Sequence, residues 1–254
     1  MKTLYANGDS FVFGMECLDH GNKEEHNKEL AFPKHVATAL DCNTYINNAY
    51  NGATNEFIFR NTILDLLELE KEGTNPEDVF VLVGWTSLFR IEIDGDRWFS
   101  SIPGFKHNEA WLLTNPAAPI EYRDHKTLFL NPTAGHVTTA NGVLYDTHDT
   151  LLPFCVNYLW TDRLQIPQFE ANVIALHEFL KSKGYKHVFV NTCNITLTSK
   201  FENIPNYYQA TTNSFHHWAS RDFGLEIRNN NHFSPVPHKE YGKKLVDFIV
   251  NTIL

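Results

Sequence analysis

The sequence predicts an α/β protein in which a parallel sheet is covered by helices on both faces. Three observations carry that expectation. Val79-Phe80-Val81-Leu82-Val83 is continuously apolar up to Gly84, the pattern of a central strand buried on both sides. Two long stretches, Thr54 to Glu70 and Pro167 to Lys183, have helical periodicity, and Gly73 and Gly184 follow them as stops. Apolar strand runs alternate with such stretches along the chain, and that order favours parallel pairing through helical crossovers.

Leu4 to Ala6 is a short apolar run halted by Asn7-Gly8-Asp9, so it reads as a strand ending in a turn. Pro33 to Leu40 reads as a short helix, since proline is tolerated in a first turn. Between Thr54 and Glu70, Phe59, Ile63, Leu66 and Leu67 form one stripe while Glu68, Glu70 and Glu72 lie towards the outer face. From Pro167 to Lys183 the apolar side carries Phe169, Val173, Leu176 and Leu180. His187 to Val190 is a further strand. A last helix from about Pro237 to Ile253 groups Tyr241, Leu245, Phe248 and Ile249, and His238 falls within it.

Ile91 to about Asp162 breaks the alternation. It is rich in proline, glycine, aromatics and histidine, has no clear period, and is too long for a plain loop. It reads as an insertion or lid with local structure of its own in a single domain spanning 1–254, placed over the carboxyl ends of the strands. Its aromatics, Trp98, Phe99, Trp111, Tyr122, Tyr145, Tyr158 and Trp160, either line a sugar or acyl site or build a local core.

Composition excludes several classes of function. Hydrophobic residues make up 43% of the 254, too many for a disordered chain. The formal net charge is -9 without clustered basic residues, so neither nucleic acid nor an anionic membrane is an expected partner. Cys17, Cys42, Cys155 and Cys193 are widely spaced, which fits neither a zinc ribbon nor a disulfide framework. No metal or organic cofactor is expected: His216-His217 and the pair His136 and His148 lack an i, i+4 partner with a nearby acid. The start of the chain lacks the apolar stretch of a secretion signal, and Asn194-Ile195-Thr196 is taken as an accidental sequon. The expectation is a soluble protein, cytoplasmic or virion-associated.

Four short segments could carry chemistry. Gly8-Asp9-Ser10-Phe11 places a serine just past the first strand, where ligands bind in parallel sheets, although a serine in such a turn is most often only a helix cap. Gly52, ahead of a strong helix, has an N–H available for an oxyanion, or is simply a turn glycine before Thr54 or Asn55 as cap. Gly84-Trp85-Thr86-Ser87 follows the most buried strand and offers polar side chains that donate to the same oxyanion or cap the turn. In Asn229-Asn230-Asn231-His232, a neutral histidine is able to take a serine proton and return it to a leaving alcohol. No G-x-S-x-G elbow is present.

Taken together and in order, the four segments resemble the blocks of the SGNH/GDSL hydrolases, a family of esterases and acetylhydrolases. The match runs across almost the whole chain: a G-D-S block at Gly8-Asp9-Ser10, a second-block glycine at Gly52, a third block at Gly84 to Ser87, and a final block ending at His232. Gly52-Ala53-Thr54-Asn55 followed by Ile58 and Arg60 looks like phage-type members. The resemblance implies a flavodoxin-like three-layer α/β/α sandwich in which Ser10 is the nucleophile and His232 the base. The N–H groups of Ser10 and Gly52, with Thr86, would form the oxyanion hole. It also implies an ester substrate, a small molecule or a polysaccharide carrying O-acetyl groups, with lipid or thioester hydrolysis as the alternative within the family. A non-catalytic carbohydrate-binding or virion-associated protein on a degenerate SGNH fold is the alternative outside it.

Two positions depart from the family pattern. Thr86 stands where the third block has asparagine; a hydroxyl still donates one hydrogen bond. Asn229 stands where the final block has the aspartate that orients the histidine. An amide oxygen can orient an imidazole N–H but cannot stabilise imidazolium by charge. The chain therefore works as a Ser–His dyad, or takes a carboxylate from elsewhere, with Asp222, Glu226, Asp146, Asp149 and Asp162 as candidates, or has lost activity.

Overall fold

A computed structural model of the chain describes residues 2–18, 24–88, 90–94, 127–131, 136–139, 144–146, 162–193, 201, 204–208, 214–223 and 232–254. Four strands, β1 (Thr3–Asn7), β2 (Thr44–Asn47), β3 (Val79–Trp85) and β8 (Lys186–Asn191), form a sheet in the order β2-β1-β3-β8. All three pairings are parallel, with Tyr5 opposite both Ile46 and Val81, and Leu82 opposite Val188. Every residue of β3 is buried, as its unbroken apolar run requires of a strand covered on both sides. β3 runs two residues further than the sequence suggests: Gly84 and Trp85 pair with Val190 and Asn191 instead of ending the strand.

Alternate strand residues feed two separate cores. Leu4, Ala6, Phe80, Leu82, Val188 and Val190 face one side, beneath helices α1 (Ser10–Phe13), α3 (Phe32–Ala39), α6 (Phe215–Phe223) and α7 (Pro235–Thr252). Tyr5, Val79, Val81, Val83, Trp85 and Phe189 face the other, beneath α4 (Asn55–Lys71) and α5 (Asp162–Lys183). The result is the three-layer α/β/α arrangement expected. A short helix, α2 (Glu24–Lys28), connects α1 to α3.

Two helices differ in detail from their periodicity. In α4 the fully buried line is Ile58, Thr62 and Leu66, a strict i, i+4 row, whereas Leu67 is exposed. The Thr62 hydroxyl makes that row possible because it donates to the Ile58 carbonyl at 2.7 Å and accepts from the Asn7 amide at 2.9 Å. α5 starts at Asp162 and contains Pro167, with Phe169, Val173, Leu176 and Leu180 all buried as their spacing implies.

The region after β3 does hold structure of its own. β4 (Ile91–Asp94), β5 (Thr127–Asn131), β6 (His136–Thr139) and β7 (Leu144–Asp146) form an antiparallel sheet in chain order. The side chains of these strands and most of residues 95–161 lie outside the described residues, so the aromatics singled out there, from Trp98 to Trp160, do too.

Two buried histidines tie stability to pH. His238 in α7 accepts a hydrogen bond at Nδ1 from the Phe32 N–H of α3, at 3.2 Å. Its pKa is pulled down to about 3, by burial first and then by neighbouring His232 and His35. His187 on β8 is pulled down to about 4, by burial first, against the raising effect of its Tyr185 carbonyl contact; His177, 2.9 Å away, also lowers it. Both histidines are neutral in the fold, whereas the unfolded chain protonates them near pH 6.5. Stability is therefore complete above that pH and falls as the pH drops towards 4 and 3, by about 1.4 kcal/mol per pH unit for each histidine. Urea midpoints measured between pH 7 and pH 4.5 should fall steadily, and His187→Gln should make the decline shallower.

Candidate active site

Each segment singled out in the sequence, apart from the histidine, lies at or just past the carboxyl end of a sheet strand. The chain leaves β1 towards β2 on one side, then returns to add β3 on the other, so β1 and β3 flank a topological switch point, where parallel sheets open a crevice. Gly8-Asp9-Ser10 leaves β1 and Thr86 leaves β3, on the two lips of that crevice.

Asp9 is the hub of the site. It caps α1, its Oδ1 accepting the Phe11 N–H at 3.0 Å, and is fully buried. Its Oδ2 accepts the Thr86 hydroxyl at 2.7 Å and has the Thr192 hydroxyl at 2.9 Å and Arg90 Nη1 at 3.5 Å. The capping role that sequence reasoning weighed for Ser10 thus belongs to Asp9. Ser10 is the first residue of α1 and only 2% exposed. Among the described residues neither its hydroxyl nor its N–H has a hydrogen-bond partner. Cys193 also borders the carboxylate, and its thiol is pushed up to about 11, by burial first and by Asp9 second.

Gly52 sits in a left-handed turn (φ 80°) that favours glycine. Its N–H is likewise unspent among the described residues, while the Tyr50 N–H donates to the Gly8 carbonyl at 3.0 Å and holds this loop against the first. Arg90 ties the same two loops, reaching the Ala53 carbonyl at 3.1 Å as well as Asp9. Thr86 does not serve as expected. Its single hydroxyl proton is directed at Asp9, and its N–H donates to Asn55 Oδ1 at 2.9 Å, so it has no donor left for an oxyanion. Asn55 Nδ2 closes the ring by donating to the Thr86 carbonyl at 3.1 Å. Thr86, Asn55, Arg90 and Thr192 together form a scaffold around Asp9. Of these, sequence reasoning considered Asn55 only as a cap, a role that Thr54 takes, and overlooked Arg90 and Thr192.

Space, not backbone angle, explains two glycines. A Cβ on Gly8 or on Gly84 would come within 2.3 Å of the same atom, Val12 Cγ2, and one on Gly84 would also lie 2.8 Å from Thr192 Cγ2. Val12 of α1 is thus wedged over two bare positions, one just past the end of β1 and one in β3, and this lets the Ser10 helix settle onto the sheet ends. Gly84→Ala should destabilise by about 1–3 kcal/mol through overpacking. That lowers Tm by about 2–4 °C per kcal/mol in a chain of this size. Adding Val12→Ala should recover part of the loss in a thermal melt.

His232 lies just before α7, with its ring 5.2 Å from that of Phe11, the neighbour of Ser10. No hydrogen bond joins it to Ser10 among the described residues; such contacts often tighten only with substrate bound. Its Nδ1 is shut off from water and faces Glu16 Oε2 at 3.5 Å. Glu16 was not among the carboxylates anticipated. Asp222 pairs with Arg221 at 2.7 Å. Asn229, Glu226 and Asp149, and the side chains of Asp146 and Asp162, lie outside the described residues. His216 proves to be a site neighbour, half-buried, with its ring 5.6 Å from Phe11. Burial chiefly lowers its pKa, with Asp9 opposing and His232 adding to the shift.

No protein-family model matches the chain, and no curated protein matches it either. Among solved structures the chain is similar to one described as a lipolytic protein of the G-D-S-L family, from Desulfitobacterium hafniense. The identity is 13%, the TM-score is 0.47, and 98% of this chain and 99% of that one are covered. It is also similar to the psychrotrophic esterase EstA from Pseudoalteromonas sp., in a structure inhibited by monoethylphosphonate. There the identity is 13% and the TM-score 0.42, over 99% of this chain and 96% of the other.

Proposed function

We propose that the chain is a serine ester hydrolase of the SGNH type, with Ser10 as nucleophile and His232 as general base and acid. The observation that carries this reading is the gathering of the four family-like segments around the short helix α1. Ser10 heads it with a hydroxyl uncommitted among the described residues, the Gly52 loop is pinned to the Gly8 turn ahead of it, and His232 stands beside Phe11.

Ser10 Oγ bonds to the ester carbonyl carbon while His232 Nε2 takes the hydroxyl proton. The carbonyl electron pair moves to oxygen, where the N–H groups of Ser10 and Gly52 receive it. Collapse of this intermediate breaks the bond to the alkoxy oxygen, which leaves with the proton from the imidazolium and yields alcohol and acyl-Ser10. Water then gives its proton to His232 and its hydroxide to the acyl carbon. Ser10 Oγ departs and regains the proton, completing release of the acid. Two backbone donors, without Thr86, make a lean oxyanion hole. Loss of one such donor costs about 10²–10³ in rate elsewhere, so a modest turnover is expected.

The motif resemblance further supports an O-acetyl ester on a carbohydrate, as in phage-type relatives. The assay is hydrolysis of p-nitrophenyl acetate with fluorophosphonate labelling of Ser10, followed by comparison of O-acetylated polysaccharide, long-chain esters and thioesters. Acetate release from the polysaccharide in preference to the others supports the carbohydrate reading; preference for long acyl chains or thioesters replaces it with the lipid or thioester one. A folded protein that releases no acyl group and takes no label would overturn the hydrolase claim and leave the binding-protein reading that the committed Thr86 hydroxyl favours.

A further inference from the structure

We propose that Glu16, from the turn after the nucleophile's own helix, is the positioning residue for His232, in the role that the Asn229 amide cannot fill; this rests on the reading of Ser10 and His232 above. The first support is the contact itself. Glu16 Oε2 is 3.5 Å from His232 Nδ1, and both side chains are almost wholly removed from water, at 6% and 12% exposure. The two atoms make an ion-pair approach without a hydrogen bond, and a carboxylate in that place can close on Nδ1 and orient the imidazole as it gains charge. With Nδ1 turned to Glu16, Nε2 is the nitrogen left for a serine proton.

The backbone is the second support. Glu16 has φ 61°, a left-handed conformation that side chains other than glycine, asparagine and aspartate seldom adopt. Its cost persists only where the surroundings enforce it. Here they do. Gly14 closes α1 at φ 80°, with its N–H and that of Met15 both donating to the Ser10 carbonyl. A Cβ on Gly14 would lie 2.6 Å from the Asn27 carbonyl oxygen, so α2 presses directly on the turn. The Cys17 N–H donates to the Gly14 carbonyl, and the Leu18 N–H to Asn27 Oδ1 at 3.1 Å. Two left-handed residues within three positions thus swing the Glu16 side chain back towards the final block. The same short stretch of chain that presents Ser10 also presents the carboxylate, which makes the aspartate that the family pattern has at the position of Asn229 dispensable.

The other titratable groups near His232 are His216, across the Phe11 ring, and His238, behind it in α7, with Asp9 acting on His216. His232 in turn lowers both of these histidines, and Glu16 is the carboxylate that the described residues place against its ring.

The test compares Glu16→Gln and Glu16→Asp with the parent protein by kcat, KM and pH profile on p-nitrophenyl acetate, with folding checked by circular dichroism. Glu16→Gln should lower kcat by about 10²–10⁴-fold with little change in KM. Glu16→Asp should recover a substantial part, and the acid limb of the glutamine variant should move to lower pH. NMR titration of His232 in the Ser10→Ala background reads the same coupling without turnover, so it decides the proposal even if no ester is hydrolysed. There Glu16→Gln should again lower the His232 midpoint. A folded Glu16→Gln protein with an unchanged His232 midpoint overturns the proposal, whereas an inactive parent with a Glu16-dependent midpoint overturns only the hydrolase reading.

Discussion

If Ser10 is the nucleophile proposed above, Ser10→Ala should lower kcat/KM for p-nitrophenyl acetate by up to about 10⁶-fold and leave the thermal midpoint nearly unchanged. The size follows from the role: removing the nucleophile of a serine hydrolase costs about as much as removing the whole catalytic set. The absence of a stability cost follows from the structure. The Ser10 hydroxyl has no hydrogen-bond partner among the described residues, and capping of α1 is done by Asp9. A buried group with no structural duty can be lost within about 0.5 kcal/mol. His232→Ala should give a similar kinetic loss, and the double variant little more, because the two act as a unit. A Ser10→Ala protein with parental activity would remove Ser10 from the chemistry.

Asp9→Ala behaves in the opposite manner and should lose the fold's stability together with its activity. Its carboxylate receives the Thr86 hydroxyl, lies beside the Thr192 hydroxyl, and is the counter-charge to Arg90, itself only 11% exposed. Leaving a buried charge without its partner costs about 3–5 kcal/mol, and the lost cap on α1 adds about 1 kcal/mol. A chain of this size then melts on the order of 10 °C earlier. Removing the stranded cation as well, in Asp9→Ala/Arg90→Leu, should restore part of the midpoint. Calorimetry of the three proteins reads this directly; a double variant no more stable than Asp9→Ala would mean that Arg90 is not the stranded charge.

β3 was legible because burial on both faces leaves an unbroken apolar run, and the α5 stripe of Phe169, Val173, Leu176 and Leu180 was legible from its helical period. The edge strand β2 (Thr44–Asn47), mostly not buried, carries no such run and was not anticipated. α4 was half legible. Its true row passes through Thr62, a polar residue that hydrogen-bonds to Asn7 inside the core, and no hydrophobic period records such a contact. The site was legible where a residue's place in the chain is also its place in space, as with the strand-end segments at Gly8 and Gly84. It was not legible where side chains from distant loops meet. Nothing in the sequence ties Arg90 or Thr192 to Asp9, and Thr86 could not be known to have spent its proton. Glu16 was hidden for a different reason: a left-handed glutamate has no sequence signature, although Gly14 two residues earlier marks the turn that produces it.

The placement of Ser10 and His232 has a consequence for how the protein acquires activity. Ser10 follows the first strand of the sheet, while His232 precedes the last helix, and β1 lies between β2 and β3, which come later in the chain. Pairing across such sequence separations makes for slow folding. A growing chain would therefore hold the proposed nucleophile long before the proposed base, and docking of α7 onto α3 would bring the two together. Recovery of esterase activity on refolding would then be a late event, trailing the return of helical signal.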